Sequence, residues 1–169
     1  KGTRMPRIEP LPAPEGANPL QFSQLAGIMA HRPEVLEAFA KLNRTLRFEG
    51  VLPIELKESV RRATAGQVGC RYCASLGEPR TEFSSDREQL AVAFAQLIAD
   101  DPKGITDAQF DVLREEFTDE EIVELVMWIT LVTVAGQTFG AVMDVTEATP
   151  AEADLYQEAI RERAAKVAS

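Results

Sequence analysis

Apolar residues recur every three or four positions along most of this chain, the period of a helix, and no stretch alternates with the period of two that a strand requires. Leu25, Ile28 and Met29 mark one side of a first helix, predicted over Leu20 to Ala30. Pro33 suits a first helical position, and Val35, Phe39, Leu42 and Leu46 follow at helical spacing. Glu49-Gly50 is a turn, and Pro53 opens a helix expected to run to about Val68. Gly69 separates it from a short helix ending by Gly77 or Pro79. Ser85 with Glu88, Thr118 with Glu121 and Thr149 with Glu152 have capping-box spacing, and Pro150 adds a proline at the first position of the last helix. Thr106 caps a helix bearing Phe110, Leu113 and Phe117, after the loop Asp101 to Gly104. The last helix turns Tyr156, Ile160 and Ala164 inward, and Arg161, Arg163 and Lys166 near its end suit the helix dipole. The pattern predicts an all-α bundle, with residues 20–169 as one domain.

Two segments depart from ordinary amphipathic helix. Residues 1–19 form a proline-rich arm: Met5 to Pro19 carries five of the ten prolines, so it is expected to be extended, over the surface or on a neighbouring subunit. Ile122 to Val142 is apolar on nearly all faces and about long enough to span a bilayer. Glu124 lies inside it and both flanks are acidic, so a buried bundle helix is expected and no membrane partner. Thr130, Thr133, Gly136, Gln137 and Gly140 within it permit close helix contacts. Burying it in so small a protein calls for other subunits, and a homo-oligomer is expected.

Composition narrows the classes further. At 169 residues and 45% apolar, the chain can bury a core without a disulfide framework. Two cysteines in that length argue against a secreted disulfide scaffold, no signal peptide is read in the proline-rich start, and a reducing cytoplasm is expected. A net charge of −9 repels phosphate backbones, so nucleic acid is not an expected partner.

The candidate chemistry lies in ESVRRATAGQVGCRYCASLG, Glu58 to Gly77. Cys70 and Cys73 are one helical turn apart if a helix begins at or just before Cys70, close enough for a disulfide. At a helix start, outward-pointing N–H groups favour a thiolate. Two small buried core residues are the plainer alternative. A zinc site is not expected, because His31 is the only other ligand of the Cys/His type, and no cofactor is expected. His31, before Arg32-Pro33, reads as a helix-end residue, and Tyr72 reads as packing. Glu58 can form a surface salt bridge with Arg62, four residues on; periodicity does not settle its role, since Glu58 lies roughly opposite Leu56, Val60 and Ala63 and shares its side with Ile54 and Ala65.

The spacing resembles that of the carboxymuconolactone decarboxylase family, in its alkylhydroperoxidase (AhpD-like) branch. That branch reads glutamate, eleven residues, cysteine, two residues, cysteine, three residues, histidine. Glu58, Cys70 and Cys73 fall on the first three positions, and Gly77 stands on the fourth. LPIELKESV and TDEEIVELV extend the likeness over roughly Pro33 to Asp144. The resemblance implies an AhpD-like helical bundle in an oligomer, with Glu58 facing the cysteines at the head of a proton relay. It implies a peroxidatic Cys73, a resolving Cys70, a small hydroperoxide as substrate and a dithiol protein as reductant. Gly77 carries no proton, so a water bridging Glu58 and a thiol, or another group, would have to do the histidine's work, and Gly77→His is expected to raise activity provided the ring fits and Gly77 does not need a positive φ. Competing readings are a non-peroxidatic dithiol redox or stress-response protein, a lactone decarboxylase of the kind that names the family, and a scaffold whose activity has decayed.

Overall fold

Helix starts fall where prolines and hydroxyl caps place them. In the computed structural model, which describes residues 5–17 and 23–168, the helices are α1 (Gln24–Met29), α2 (Pro33–Phe48), α3 (Ile54–Val68), α4 (Arg71–Ser75), α5 (Asp86–Asp100), α6 (Asp107–Glu116), α7 (Asp119–Met127), α8 (Ala135–Val142) and α9 (Pro150–Ala168). A 3-10 turn, Pro102–Gly104, precedes α6, and a π-helical segment, Trp128–Val134, joins α7 to α8. No strand occurs among the described residues, so the protein is all-α. The first three residues of the predicted first helix, Leu20 to Phe22, lie outside the described residues.

Thr106 with Gln109 and Thr118 with Glu121 close full capping boxes. Ser85 makes only half of one. Its hydroxyl accepts from Glu88 N at 3.2 Å, but the Glu88 carboxylate turns away to Ser84 N at 2.7 Å and to the Ser59 hydroxyl. That carboxylate is buried and ties α5 to α3.

Helix α3 is the axis of the bundle, with α5, the π segment, α4, α8 and α9 packed around it. One face adds Leu56 and Val60 to a core containing Phe94, Leu113, Leu125, Trp128 and Ile129. The other faces are polar in sequence yet also buried: Lys57, Glu58, Ser59, Arg61 and Thr64. Each of these polar groups has a bonding partner, as a buried polar group requires. Lys57 donates to Leu46 O and pairs with Glu124, and the Trp128 ring N–H donates to Lys57 O at 2.9 Å. The Glu124 carboxylate also accepts Val51 N at 2.6 Å and Leu52 N at 3.1 Å, which fixes the turn into α3. Gly50 is needed there, since a Cβ would stand 2.2 Å from that carboxylate.

Asp119–Val142 is one continuous helical run, long and apolar enough to cross a membrane by length and composition. Ile122, Leu125, Trp128, Ile129, Val132, Gly136 and Gly140 are buried within the protein. Val123, Met127, Leu131 and Val142 form an exposed apolar stripe on the opposite side. In the π segment the Thr133 hydroxyl donates to Trp128 O at 3.1 Å and Ile129 O at 2.7 Å. The wider turn rotates the residues beyond it relative to α7 and turns Gly136, Gln137 and Gly140 inward.

The described arm residues lie over their own chain. Arg7 N donates to Met143 O at 2.9 Å, and Leu11 N donates to Gly27 O at 3.1 Å. Gly27 permits this approach, because a Cβ there would meet Pro10 at 2.8 Å.

Candidate functional site

The chain reverses sharply between α3 and α4. Gly69 has φ +85°, a left-handed conformation that glycine adopts without strain. Gly69 N and Cys70 N both donate to Ala65 O, at 3.2 and 3.1 Å. Cys70 therefore becomes the N-cap of α4, and its Sγ accepts Cys73 N at 3.1 Å. The Cα atoms of Cys70 and Cys73 lie 5.2 Å apart, and the two sulfurs are joined in a disulfide. The predicted pairing is therefore formed, in a cluster with Ile28, Tyr72, Leu76 and Val145.

The two cysteines, both buried, differ in their surroundings. Cys70 is 1% exposed and lies beneath Gly140 of α8, where a Cβ would stand 2.6 Å from its Sγ. Cys73, 7% exposed, forms part of the wall of a cavity of about 100 Å³. That is room for a few water-sized groups. Leu25, Phe39, Leu76 and Val132 supply its apolar wall; Arg47, Arg61, Tyr156 and Gln137 supply polar groups; no carboxylate lines it. Positive charge thus faces the cavity in a chain of net charge −9.

Glu58 stands behind this wall, 2% exposed, and its carboxylate is shared among cations. Arg61 holds it with two bonds, Nη2 to Oε1 at 2.7 Å and Nε to Oε2 at 2.9 Å. Arg62 Nε donates to Oε1 at 2.9 Å, and the Tyr156 hydroxyl donates to Oε2 at 2.8 Å. Arg47 approaches Oε2 at 3.9 Å and donates to the Tyr156 hydroxyl. Arg61 also donates through Nη1 to Cys73 O at 2.7 Å, so one guanidinium links Glu58 to the cysteine backbone. Burial pushes the Glu58 carboxyl up, but the charge and hydrogen bonds of Arg61, with Arg47 and Arg62, outweigh it and hold it down at about 2. Burial raises the Tyr156 hydroxyl against the pull of Arg47 and Arg61, so it stays protonated at neutral pH. A carboxylate so occupied is a poor proton acceptor. Its geometry is that of a counter-ion that positions Arg61 and Tyr156.

The Arg62 pair read from the sequence exists, but Glu58 is buried and not on the surface, and it lies one guanidinium away from Cys73. The position of Gly77 is not an open slot. Gly77 has φ +156°, and a Cβ there would meet the Arg62 guanidinium at 2.8 Å. Neither condition set for a gain from Gly77→His is met: φ is positive, and the ring would displace Arg62 from Glu58. His31 lies on the exposed turn after α1, with Nε2 3.0 Å from Glu9 O, and is not part of the cavity wall. Tyr72 packs in the dithiol cluster, as read from the sequence. Arg47 and Arg61 were not singled out in the sequence, Gln137 was read only as permitting close helix contact, and Tyr156 was read only as an inward core residue. The closest available signal was RR at positions 61–62, beside Glu58.

Gln137 carries one unsatisfied group. It is 2% exposed, and its Nε2 donates to Arg61 O at 2.8 Å. Its Oε1 is the one buried side-chain polar atom among the described residues without a hydrogen-bond partner. An orphaned acceptor of this kind costs roughly 1–3 kcal/mol.

No family model and no curated protein matches the chain. Among solved structures, the fold is similar to that of an uncharacterized peroxidase-related protein from Silicibacter sp. TM1040. The two share 18% identity with a TM-score of 0.60, over 72% of this chain and 74% of the other. At that identity the likeness is one of fold.

Glu58→Gln keeps the shape and removes the counter-charge of three arginines. The expected loss is about 3–5 kcal/mol, the cost of breaking a buried ion pair from one side, read by denaturant unfolding at pH 7. The folded-state pKa of about 2 lies below the ordinary 4.5, so the unfolded chain binds more protons between those values. The contribution of Glu58 is thus complete above pH 4.5 and fades as pH falls toward about 2. The gap between wild type and variant should narrow in acid. A gap that is small at pH 7, or widens in acid, contradicts the counter-ion role.

Proposed function

We propose that this protein is a thiol-dependent, peroxidase-type redox protein of the AhpD-like kind, in which Cys73 reacts with a small hydroperoxide. The observation that carries the reading is the Cys70–Cys73 disulfide, with Cys73 facing a small cavity walled by two arginines. In the reduced protein, the positive charge of Arg47 and Arg61 and the start of α4 favour a thiolate. The Cys73 sulfur attacks the terminal oxygen of the hydroperoxide. An S–O bond forms, the O–O bond breaks, and the departing alkoxide takes up a proton as an alcohol. Sulfur loses two electrons and the peroxide gains them. Cys70, one helical turn away, then attacks the Cys73 sulfenic acid; the S–S bond forms and hydroxide leaves as water after protonation. An external dithiol protein reduces the pair, which fits a reducing cytoplasm. Glu58 acts by positioning Arg61 and Tyr156, not as the base of a relay.

A second reading is dithiol exchange without peroxide chemistry. The occupied lone pairs of Glu58 favour it, because they remove the expected proton acceptor. A peroxide-consumption assay with a dithiol reductant, run beside Cys73→Ser, decides between them. Peroxide loss that depends on protein and vanishes in the variant is expected. No loss above the reductant alone leaves dithiol exchange.

We also assign the exposed stripe Val123, Met127, Leu131 and Val142 to contact with a second copy of this chain. It is apolar, runs along the same helix that packs beneath the dithiol, and belongs to a chain with no other long uncovered helix of that composition among the described residues. A closed symmetric interface of this type buries roughly 2,000 Å² or more. Light scattering at micromolar concentration should give a multiple of 18.6 kDa, reduced in Leu131→Glu. A wild-type monomer at all concentrations overturns the assignment.

A further inference from the structure

Gln137 sits one helical turn before Gly140, the residue against which the Cys70 sulfur packs, and on the same buried side of α8. Two bonds tie it to the dithiol through Arg61: Gln137 Nε2 donates to Arg61 O at 2.8 Å, and Arg61 Nη1 donates to Cys73 O at 2.7 Å. The first of these bonds also settles which end of the amide is which. A backbone carbonyl needs a donor, so nitrogen faces Arg61 and oxygen is the end left over. That oxygen has no partner among the described residues, although Gln137 is 2% exposed and forms part of the cavity wall with Cys73.

We propose that Gln137 positions the substrate by accepting, at Oε1, the O–H of the hydroperoxide that Cys73 attacks. The inference rests on the peroxidase reading above and assigns the residue that orients its substrate. A hydroperoxide has one O–H, on its terminal oxygen, the atom that the thiolate must reach. Gln137 shares the cavity wall with Cys73, and an acceptor there selects that oxygen and turns the O–O bond away from the sulfur. The attack then proceeds in line: the S–O bond forms, the O–O bond breaks, and the leaving oxygen gains negative charge. The guanidinium groups of Arg47 and Arg61, on the same wall, stabilise that charge. The O–H itself is not broken. It passes to the Cys73 sulfenic acid, so the bond to Gln137 persists from the bound hydroperoxide to the product. The half-open cavity of about 100 Å³ has room for a small organic group.

The test compares two reactions of reduced protein at Cys73, in a Cys70→Ser background. One reagent is hydrogen peroxide, which has O–H groups to give. The other is methyl methanethiosulfonate, which has neither O–H nor N–H. Gln137→Met removes the acceptor at similar volume, and Gln137→Leu is a second apolar replacement should the first not fold. The peroxide rate should fall about tenfold, while the methanethiosulfonate rate and its pH profile stay within about twofold. An unchanged peroxide rate overturns the assignment. So does an equal fall in both rates, which would make Gln137 structural. A wild-type peroxide rate no greater than that of a free thiol in solution removes the peroxidase reading itself and this inference with it.

Discussion

The Glu58 carboxylate is the charge on which the site depends. Arg61, Arg62 and the Tyr156 hydroxyl bond to it directly, and Arg47 stands just beyond bonding distance. Without it, three guanidinium groups would face one another with little water around them, and none could hold its present place. Because it is there, Arg61 reaches Cys73 O, Arg47 stacks over the Trp128 ring at 5.0 Å, and Tyr156 brings α9 against α3. One buried anion thus joins three helices and leaves a net positive wall beside a sulfur.

That arrangement changes what the glutamate can do. A carboxylate held at about 2 is ionised across the physiological range but has no lone pair to spare for a proton from a thiol. The charge that favours a Cys73 thiolate comes from the arginines it positions. Arg62, in turn, occupies the space beside Gly77 that a side chain would need. The π segment completes the site from the opposite side, because it turns Gly140 onto the Cys70 sulfur and Gln137 toward Arg61.

The helices were legible because their signals are local. Pro33, Thr106, Thr118 and Thr149 act within one turn of themselves, and each stands at the start predicted for it. The dithiol was legible for the same reason: Gly69 and three-residue spacing set its geometry. The environment of Glu58 was not. Lys57, Glu58, Ser59 and Arg61 are polar in sequence, and they are buried because Glu124, Tyr156 and Glu88 arrive from 29 to 98 residues away. Helical periodicity treats every charge as exposed and has no means of pairing it at long range. Glu88 shows the same limit at small scale: its spacing from Ser85 predicts the cap, but its carboxylate is drawn to Ser59 on another helix.

The chemistry assigned to Cys73 can be observed on the atom concerned. Reduced Cys70→Ser protein, which lacks the resolving thiol, is treated with one equivalent of a small hydroperoxide in the presence of dimedone and read by peptide mass spectrometry. The account predicts a dimedone adduct on Cys73, formed in step with the disappearance of the peroxide. An unmodified Cys73 beside unconsumed peroxide would contradict it.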